Sequence, residues 1–125
     1  MLYIRLDVDV SKASEFGITM LQGGKWDETS YTYQVDEGLI QGRTENKGEG
    51  AKSKAVSGAL PNEDGTITME IYIDRSLVEG FFNDYKAISI RAYPEQKDSK
   101  AIELFAAGDV SITELYVASM SSIFD

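Results

Sequence analysis

The sequence predicts an all-β fold: a single domain, residues 1–125, in which two antiparallel sheets pack together as a β-sandwich. Three observations predict it. Apolar residues recur at every second position in several segments, which is typical of half-buried strands. Turn residues separate at least eight such segments, and none carries the apolar stripe of a helix. Many short strands in one chain of this length are typical of an antiparallel sandwich or barrel with one core.

The first half of the chain contains four predicted strands. In the first of them, Leu2, Ile4 and Leu6 alternate with polar or aromatic residues. Residues 11–15 could form a single helical turn, and Gly23-Gly24 end the second strand. Asp36-Glu37-Gly38 predicts a hairpin turn between the third and fourth strands. In order, the predicted strands cover residues 2–10, 16–21, 29–35 and 39–43.

The second half begins with a polar segment, residues 44–58, that lacks a clear period. This segment is predicted to be a long loop with a short strand near residues 55–56. Asn62-Glu63-Asp64-Gly65 is a strong turn signal. Further predicted strands follow it, separated by Asp74-Arg75-Ser76, Asn83-Asp84, Pro94 and Gly108-Asp109. They cover residues 66–73, 77–82, 87–93, 101–106 and 110–117.

The net charge argues against several kinds of partner. The formal net charge is −9, from 12 basic and 21 acidic residues. A nucleic-acid partner is not expected, since phosphate binding requires a basic surface. Docking on an anionic membrane is disfavoured for the same reason. The sequence also lacks an apolar run of the roughly 20 residues that a membrane helix needs.

The chain has no cysteine and no histidine. Disulfides, cysteine-ligated zinc and Ser-His-Asp machinery are therefore excluded, and no metal or cofactor is predicted. The compartment, secreted or cytoplasmic, is left undecided. A signal-peptide pattern is not seen at the start. Met1 stands directly before a predicted strand, so the chain is expected to be part of a longer protein.

Isolated carboxylates and aromatic residues give weak signals. Asp7 and Asp9 share one strand face, and a solvated sheet face explains them better than a catalytic pair does. Trp26, Tyr31 and Tyr33 could form a stacking surface for a sugar ring. Core packing is favoured for the two tyrosines. For Trp26, which lies in a loop after two glycines, both interpretations stay open.

The most informative stretch is I-Y-I-D-R-S-L-V-E-G-F-F-N-D, residues 71–84. Asp74 and Arg75 stand at a bend between two predicted buried strands, and Glu79 lies within the following apolar run. A bidentate pair between Arg75 and a carboxylate would hold such a bend. The same charged groups could also form a binding site. Residue chemistry favours the structural ion pair and leaves the binding site as the alternative.

This stretch resembles the D-R-S-x-x-E-x-F-x-N-D signature in the C-terminal β-sandwich of glycoside hydrolase family 32, which contains invertases, levanases, inulinases and sucrose-6-phosphate hydrolases. Gly80 departs from the family pattern, in which a β-branched residue is usual. The resemblance continues into the strands that follow. The matching segments are Asp74-Arg75-Ser76, Glu79, Phe81, Asn83-Asp84, Ile90-Arg91-Ala92-Tyr93-Pro94, Leu115-Tyr116-Val117 and Ser121-Ser122-Ile123-Phe124.

The resemblance implies a jelly-roll sandwich of the concanavalin A-like, lectin-like type. It also implies a parent glycoside hydrolase that acts on β-fructosides. The family's catalytic motifs, W-x-N-D-P-N-G, R-D-P and E-C-P, lie in a five-bladed propeller and do not occur in this sequence. No catalytic residue is therefore assigned to the chain.

Two functions follow as expectations. In the first, the domain packs against the propeller of the same enzyme, stabilises it, and contributes to homodimerisation. In the second, the domain is a carbohydrate-binding module for the terminal fructose of levan or related fructans. Its candidate sugar-binding residues are Asp74, Arg75, Glu79 and Trp26.

Overall fold

The computed structural model describes residues 2–22, 27–46, 52–62, 64–74, 77–83, 86–91 and 100–119. Within these residues the chain forms eight β-strands and no helix, and every strand pair is antiparallel. The predicted fold class is confirmed. The strands are β1 (Leu2–Gln22), β2 (Asp27–Gln34), β3 (Leu39–Asn46), β4 (Lys52–Ala59), β5 (Thr66–Asp74), β6 (Leu77–Phe82), β7 (Lys86–Arg91) and β8 (Lys100–Ser119).

The long strand β1 belongs to two sheets. Its first half pairs with β5, from Leu2 opposite Ile73 to Asp9 opposite Thr66. Its second half pairs with β2, from Glu15 opposite Gln34 to Leu21 opposite Glu28. Strand β8 pairs with β1 along both halves. The first sheet therefore has the order β8-β1-β5-β6-β7, and the second sheet has the order β8-β1-β2-β3-β4.

The helical turn expected at residues 11–15 is wrong, because these residues continue β1. They pair with the middle of β8, where the pairing register shifts between Asp9 and Lys12 and again between Ala13 and Glu15. Such bulges bend a strand without ending it. The two predicted strands on either side of this segment are consequently one strand that passes from one sheet into the other.

Strand β8 joins two predicted strands in the same way. Gly108-Asp109, expected to separate them, lies inside β8 and opposite the bulges of β1. Gly108 has a φ of +106°, and a Cβ atom there would lie 2.6 Å from the Lys12 carbonyl oxygen. Only glycine accepts this close approach at a positive φ. The bend of the ribbon formed by β1 and β8 depends on this position.

The long loop expected at residues 44–58 is also wrong. Strand β3 runs to Asn46, and β4 covers Lys52–Ala59, which includes the short strand expected near residues 55–56. Backbone pairing holds the two strands together from Leu39 opposite Ala59 to Asn46 opposite Lys52. Because Ala55, Val56 and Ser57 are exposed on a strand at the end of the sheet order, β4 carries little apolar alternation. The backbone ladder forms without it.

Both turn predictions are confirmed in the described residues. Residues 35–38 form the turn between β2 and β3, and Gly38 has a φ of +61°. In the second turn, the Gly65 amide donates to Oδ1 of Asn62 at 2.8 Å. The Thr66 amide and hydroxyl both donate to Oδ1 of Asp64. These hydrogen bonds shape the turn that leads into β5.

The core lies between the two sheets and follows the predicted alternation. Tyr31 and Tyr33 are fully buried, as the sequence favoured. The Tyr31 hydroxyl reaches from the second sheet to the first, where it donates to the carbonyl oxygens of Ile88 at 2.9 Å and Val78 at 3.3 Å. The buried apolar residues are Ile4, Leu6, Val8, Val10, Ala13, Phe16, Ile18, Met20, Tyr31, Tyr33, Ile40, Leu60, Ile67, Met69, Ile71, Val78, Phe82 and Ile88.

The core explains why glycine stands at position 80, where the family resemblance leads one to expect a β-branched residue. A Cβ atom on Gly80 would lie 2.7 Å from the Phe82 ring and 2.9 Å from the Tyr31 ring. These two rings pack edge to face, with centroids 5.1 Å apart. The Tyr31 ring therefore fills the space that a larger side chain at position 80 would need.

We expect Gly80→Val to lower the free energy of unfolding by about 1–3 kcal/mol, because overpacking forces buried rings from their positions. Urea unfolding measures the effect. Gly58→Val is the matched control, since a Cβ atom there meets only the end of the flexible Lys86 side chain. That variant should be close to the wild type in stability. Equal stability of Gly80→Val and the wild type would contradict the packing explanation.

Candidate functional site

The bend that the sequence singled out joins β5 to β6. Asp74 is the last residue of β5, and its Cα lies opposite Leu77. The side chain of Asp74 and all of Arg75 lie outside the described residues, as does Trp26. The choice between an ion pair and a sugar-binding site at this bend stays a prediction.

Glu79 is the one predicted site residue whose surroundings the structure describes. It is half-buried in the middle of β6, with Tyr72 of β5 and Ser89 of β7 opposite it. Its neighbours Val78 and Gly80 face the core, so Glu79 lies on the outer face of the first sheet. Burial raises the pKa of Tyr31, and the negative charge of Glu79 raises it further.

A row of four aromatic rings crosses the same outer face. This aromatic row consists of Tyr116 on β8, Tyr3 on β1, Tyr72 on β5 and Phe81 on β6. Ring centroids are 6.0 Å apart for Tyr116 and Tyr3, 4.9 Å for Tyr3 and Tyr72, and 5.8 Å for Tyr72 and Phe81. The spacing and tilts are those of favourable edge-to-face and tilted aromatic contacts. The rings therefore hold one another in place across four strands.

Strand alternation and register create the row. Ile4 and Leu6 of β1 face the core, so Tyr3 and Arg5 face outward. The pairing with β5 then places Tyr72 opposite Tyr3 and Glu70 opposite Arg5. Directly opposed residues share a face of the sheet, and their side chains interact.

Beside the row lies a charged cluster that consists of Arg5, Asp7, Glu70 and Glu114. Nη1 of Arg5 donates to Oε1 of Glu70 at 2.6 Å, and the Tyr3 hydroxyl donates to Oε2 of the same carboxylate at 3.2 Å. Arg5 also lies 3.8 Å from Asp7 and 3.9 Å from Glu114. One guanidinium thus faces three carboxylates, and the cluster has an excess of negative charge.

Asp7 has more hydrogen-bond and charge partners than a residue on a solvated sheet face would be expected to have. Its Oδ1 accepts a hydrogen bond of 2.7 Å from the Thr68 hydroxyl. This bond holds the pKa of the Asp7 carboxyl below its ordinary value, and the nearby Arg5 charge acts in the same direction. Asp9, by contrast, accepts hydrogen bonds from the backbone and hydroxyl of Ser11 in an exposed setting. The expectation of a polar outward face is met by both, but only Asp7 belongs to the cluster.

Two further residues of the signature have roles that the structure describes. Asn83 has a φ of +54°, and its Oδ1 accepts a 2.7 Å hydrogen bond from the Thr68 amide. The backbone amide of Asn83 donates to the Thr68 carbonyl oxygen at 2.9 Å. Asn83 therefore holds the end of β6 against β5. Phe81 instead points outward and ends the aromatic row.

Sequence reasoning did not identify the aromatic row or the role of Arg5. The signal was present, because Tyr3-x-Arg5-x-Asp7 and Thr68-x-Glu70-x-Tyr72 carry complementary residues in opposite order. An antiparallel pairing of these two strands opposes tyrosine to tyrosine and arginine to glutamate. Recognising it required the knowledge that β1 and β5 are neighbours, although they are far apart in the chain.

The family comparison identifies the chain. The protein-family model described as "Glycosyl hydrolases family 32 C terminal" matches residues 1–119. The chain belongs to this family. The suspected relationship is confirmed, and membership implies association with an N-terminal catalytic domain of the same protein. Among curated proteins, no sequence matches this one.

Solved structures with the same fold include galectins and a carbohydrate binding module, all at low sequence identity. The galectin LEC-6 of Caenorhabditis elegans has a TM-score of 0.72 at 19% identity, and the match covers 94% of this chain and 82% of the galectin. The carbohydrate binding module CBM66 from Bacillus subtilis has a TM-score of 0.67 at 9% identity, covering 94% and 74%. Chicken galectin 2 has a TM-score of 0.65 at 9% identity, covering 94% and 89%. At these identities the likeness establishes the lectin-like fold of the family 32 domain.

The described part of the chain has neither a metal-ligand cluster nor a membrane-spanning helix. No group of three or more Asp or Glu residues there is arranged to hold a metal ion. Nor does that part contain a helix long and apolar enough to cross a membrane. The groups that the outer face offers are ring faces, carboxylate acceptors and a guanidinium.

We expect Thr68→Val to raise the pKa of Asp7 towards its ordinary value of 3.8, because the hydroxyl that favours the carboxylate is removed. An NMR titration of the side-chain carboxyl carbons measures this. A carboxyl group whose pKa is lower in the folded state stabilises the fold at pH values above its unfolded-state pKa. That stabilisation is lost as the pH falls through the folded-state pKa. The acid sensitivity contributed by Asp7 should therefore shrink in the variant.

Asp9 provides the internal control for this titration, because its pKa is lowered by Ser11 rather than by Thr68. Its titration should be the same in both proteins. An unchanged pKa of Asp7 in the variant would show that the Thr68 hydroxyl is not what holds it low.

Proposed function

We propose that this domain is a non-catalytic accessory part of a β-fructosidase-type glycoside hydrolase, which packs against the catalytic propeller of the same protein and stabilises it. The observation that carries the proposal is the open side of the sandwich at β8. Within the described residues, β8 pairs with β1 alone, so one of its edges is left without a neighbouring strand.

Several large apolar side chains of β8 are exposed on the open side. Ile112, Leu115 and Val117 lie opposite Val8, Leu6 and Ile4, which are core residues of β1. Opposed residues share a face, so these three side chains point towards the core. In spite of this they are 44–54% exposed. Ile102, on the first half of β8 opposite Met20, is 38% exposed.

An exposed edge strand with half-covered core residues favours a covering partner. Such edges otherwise promote uncontrolled pairing between chains, and contiguous apolar surface of this kind is typical of interfaces. The catalytic domain of the same protein is the partner that family membership supplies. Two copies of this chain would each carry a formal charge of −9 and would repel one another. Homodimerisation through this side is therefore the less favoured arrangement.

We expect Leu115→Ser with Val117→Ser to lower the melting temperature of the protein that contains both domains, because the interface loses apolar area. The same pair of changes should have a smaller effect on the isolated domain. Differential scanning calorimetry of both forms measures the difference. Val56→Ser is the matched control, since Val56 is 42% exposed on β4, outside the proposed interface.

The packing role would be refuted if the paired substitution lowered the melting temperature of the isolated domain as much as that of the complete protein. Sedimentation of the isolated domain tests the dimer separately. A dimer that dissociates in the Leu115→Ser, Val117→Ser variant would assign the open side to a second copy instead.

Fructan binding is a second candidate function, favoured by the position of Glu79. This residue of the predicted sugar-binding set lies on the outer face, directly opposite Tyr72 of the aromatic row. Carboxylates accept hydrogen bonds from sugar hydroxyls, and aromatic rings pack against the apolar faces of sugar rings. In this candidate, Asp74, Arg75 and Glu79 bind hydroxyls of a terminal fructose, and Trp26 stacks against the sugar.

We expect levan, and to a lesser degree inulin and sucrose, to bind the isolated domain. A dissociation constant of about 1 mM is expected, which corresponds to a binding free energy of roughly 4 kcal/mol. Isothermal titration calorimetry at high sugar concentration tests this. Glu79→Gln and Asp74→Asn should each weaken binding by removing a charged acceptor. Absence of heat from a folded sample at millimolar sugar would eliminate this candidate and leave the packing role.

A further inference from the structure

We propose that the aromatic row is a binding platform for an extended, neutral polysaccharide, which lies across the strands and is held through several successive sugar units. The proposal rests on the fructan-binding candidate and deepens it. That candidate places recognition of the terminal fructose at the bend between β5 and β6. The platform instead contacts several successive sugar units along the polysaccharide.

The first argument is the length of the row. Its rings stand on four adjacent strands, β8, β1, β5 and β6. Neighbouring strands lie about 4.8 Å apart, so the row spans roughly 14 Å across the sheet. That distance exceeds one sugar ring. A ligand that uses the whole row must therefore be an oligosaccharide or a polymer.

The second argument is the division of roles among the rings. Tyr3 and Tyr72, in the middle, are half-buried and contact rings on both sides. Tyr116 and Phe81, at the two ends, are 54% and 38% exposed. The end rings therefore offer free surface to the C–H faces of sugar rings, and the middle rings hold them at a fixed separation. A platform that is already ordered loses little entropy when it binds.

The third argument is the placement of the polar groups. Arg5 and the Tyr3 hydroxyl engage both oxygens of Glu70, so this carboxylate is fixed beside the row. Glu114 lies two residues before Tyr116 on the same strand face, and its side chain is 53% exposed. Glu79 lies at the other end, two residues before Phe81 on the outer face of β6. Both ends of the row thus combine a ring face with a carboxylate that can accept hydrogen bonds from hydroxyls.

The charge of the face selects the class of ligand. Asp7, Glu70, Glu79 and Glu114 share it with the Arg5 guanidinium, so negative charge predominates among these groups. An acidic polysaccharide would be repelled, and a neutral one would not. Side chains on adjacent strands form a broad surface rather than a deep pocket, so a single sugar unit buries little area. Useful affinity then requires contacts with several units.

Chain-length dependence tests the proposal. Oligofructosides of defined length, from sucrose to chains long enough to span the row, are titrated calorimetrically into the 125-residue chain. Affinity should rise with length until the row is spanned. Tyr116→Ala and Phe81→Ala should each lower the affinity for the longest ligand by about fivefold and should change the affinity for sucrose little. Tyr116→Phe keeps the ring and should bind as the wild type does.

A control variant, Phe105→Leu, removes a ring from the outer face of the second sheet and keeps an apolar side chain over Gly17. It should bind every oligosaccharide as the wild type does. Far-ultraviolet circular dichroism verifies that each variant is folded, and the use of two alanine variants protects against the loss of either one.

Two results would overturn the platform while leaving the fructan-binding candidate intact. One is equal affinity for sucrose and the longest chain. The other is wild-type binding by both alanine variants, combined with a loss in Glu79→Gln. If a folded wild-type sample binds none of the ligands, the fructan-binding candidate itself fails, and the platform fails with it.

Discussion

The pairing of β1 with β8 is the constraint on which the whole domain depends. The ladder runs from Leu2 opposite Ser119 to Gln22 opposite Lys100, is interrupted by bulges, and passes through both sheets. Strands β5, β6 and β7 add to its first half, and β2, β3 and β4 add to its second half. The bulges of β1 and the glycine at position 108 let this ribbon bend, so that the inner faces of the two sheets meet around one core.

The pairing of β1 with β5 and with β8 determines what each face of the first sheet displays. A shift of the register by one residue would exchange the inner and outer side chains of a strand. With the observed register, Ile4 and Leu6 join the core, while Tyr3 and Arg5 meet Tyr72 and Glu70 outside. The aromatic row and the charged cluster therefore arise from the pairing of β1 with β5 and β8, and Phe81 joins the row through the pairing of β5 with β6. Stability and surface chemistry are coupled in this sheet, because the groups that identify the candidate site also fix the strands that carry it.

The two sides of the sandwich differ in a way that bears on function. On the side of β4 and β7, Gly58 approaches Lys86, and the Tyr31 hydroxyl ties β2 to the carbonyl groups of β6 and β7. On the β8 side, core-facing Leu115 and Val117 stay about half exposed. A domain that is closed on one side and apolar on the other suits attachment to a larger protein. The outer face of the first sheet points away from the core and carries the aromatic row.

The sequence by itself determined the strand class, most strand positions, the two turns and the burial of Tyr31 and Tyr33, because alternation and turn chemistry are local properties of the chain. The signature from Asp74 to Asp84 also indicated the family that the comparison confirmed. Only the tertiary structure decided that residues 11–15 continue a strand, since their polar sequence gains its order from pairing with distant β8. Likewise, Tyr3, Tyr72 and Tyr116 come together only because their strands are neighbours. The burial of the whole core selects those neighbours, and the local sequence of a short segment does not.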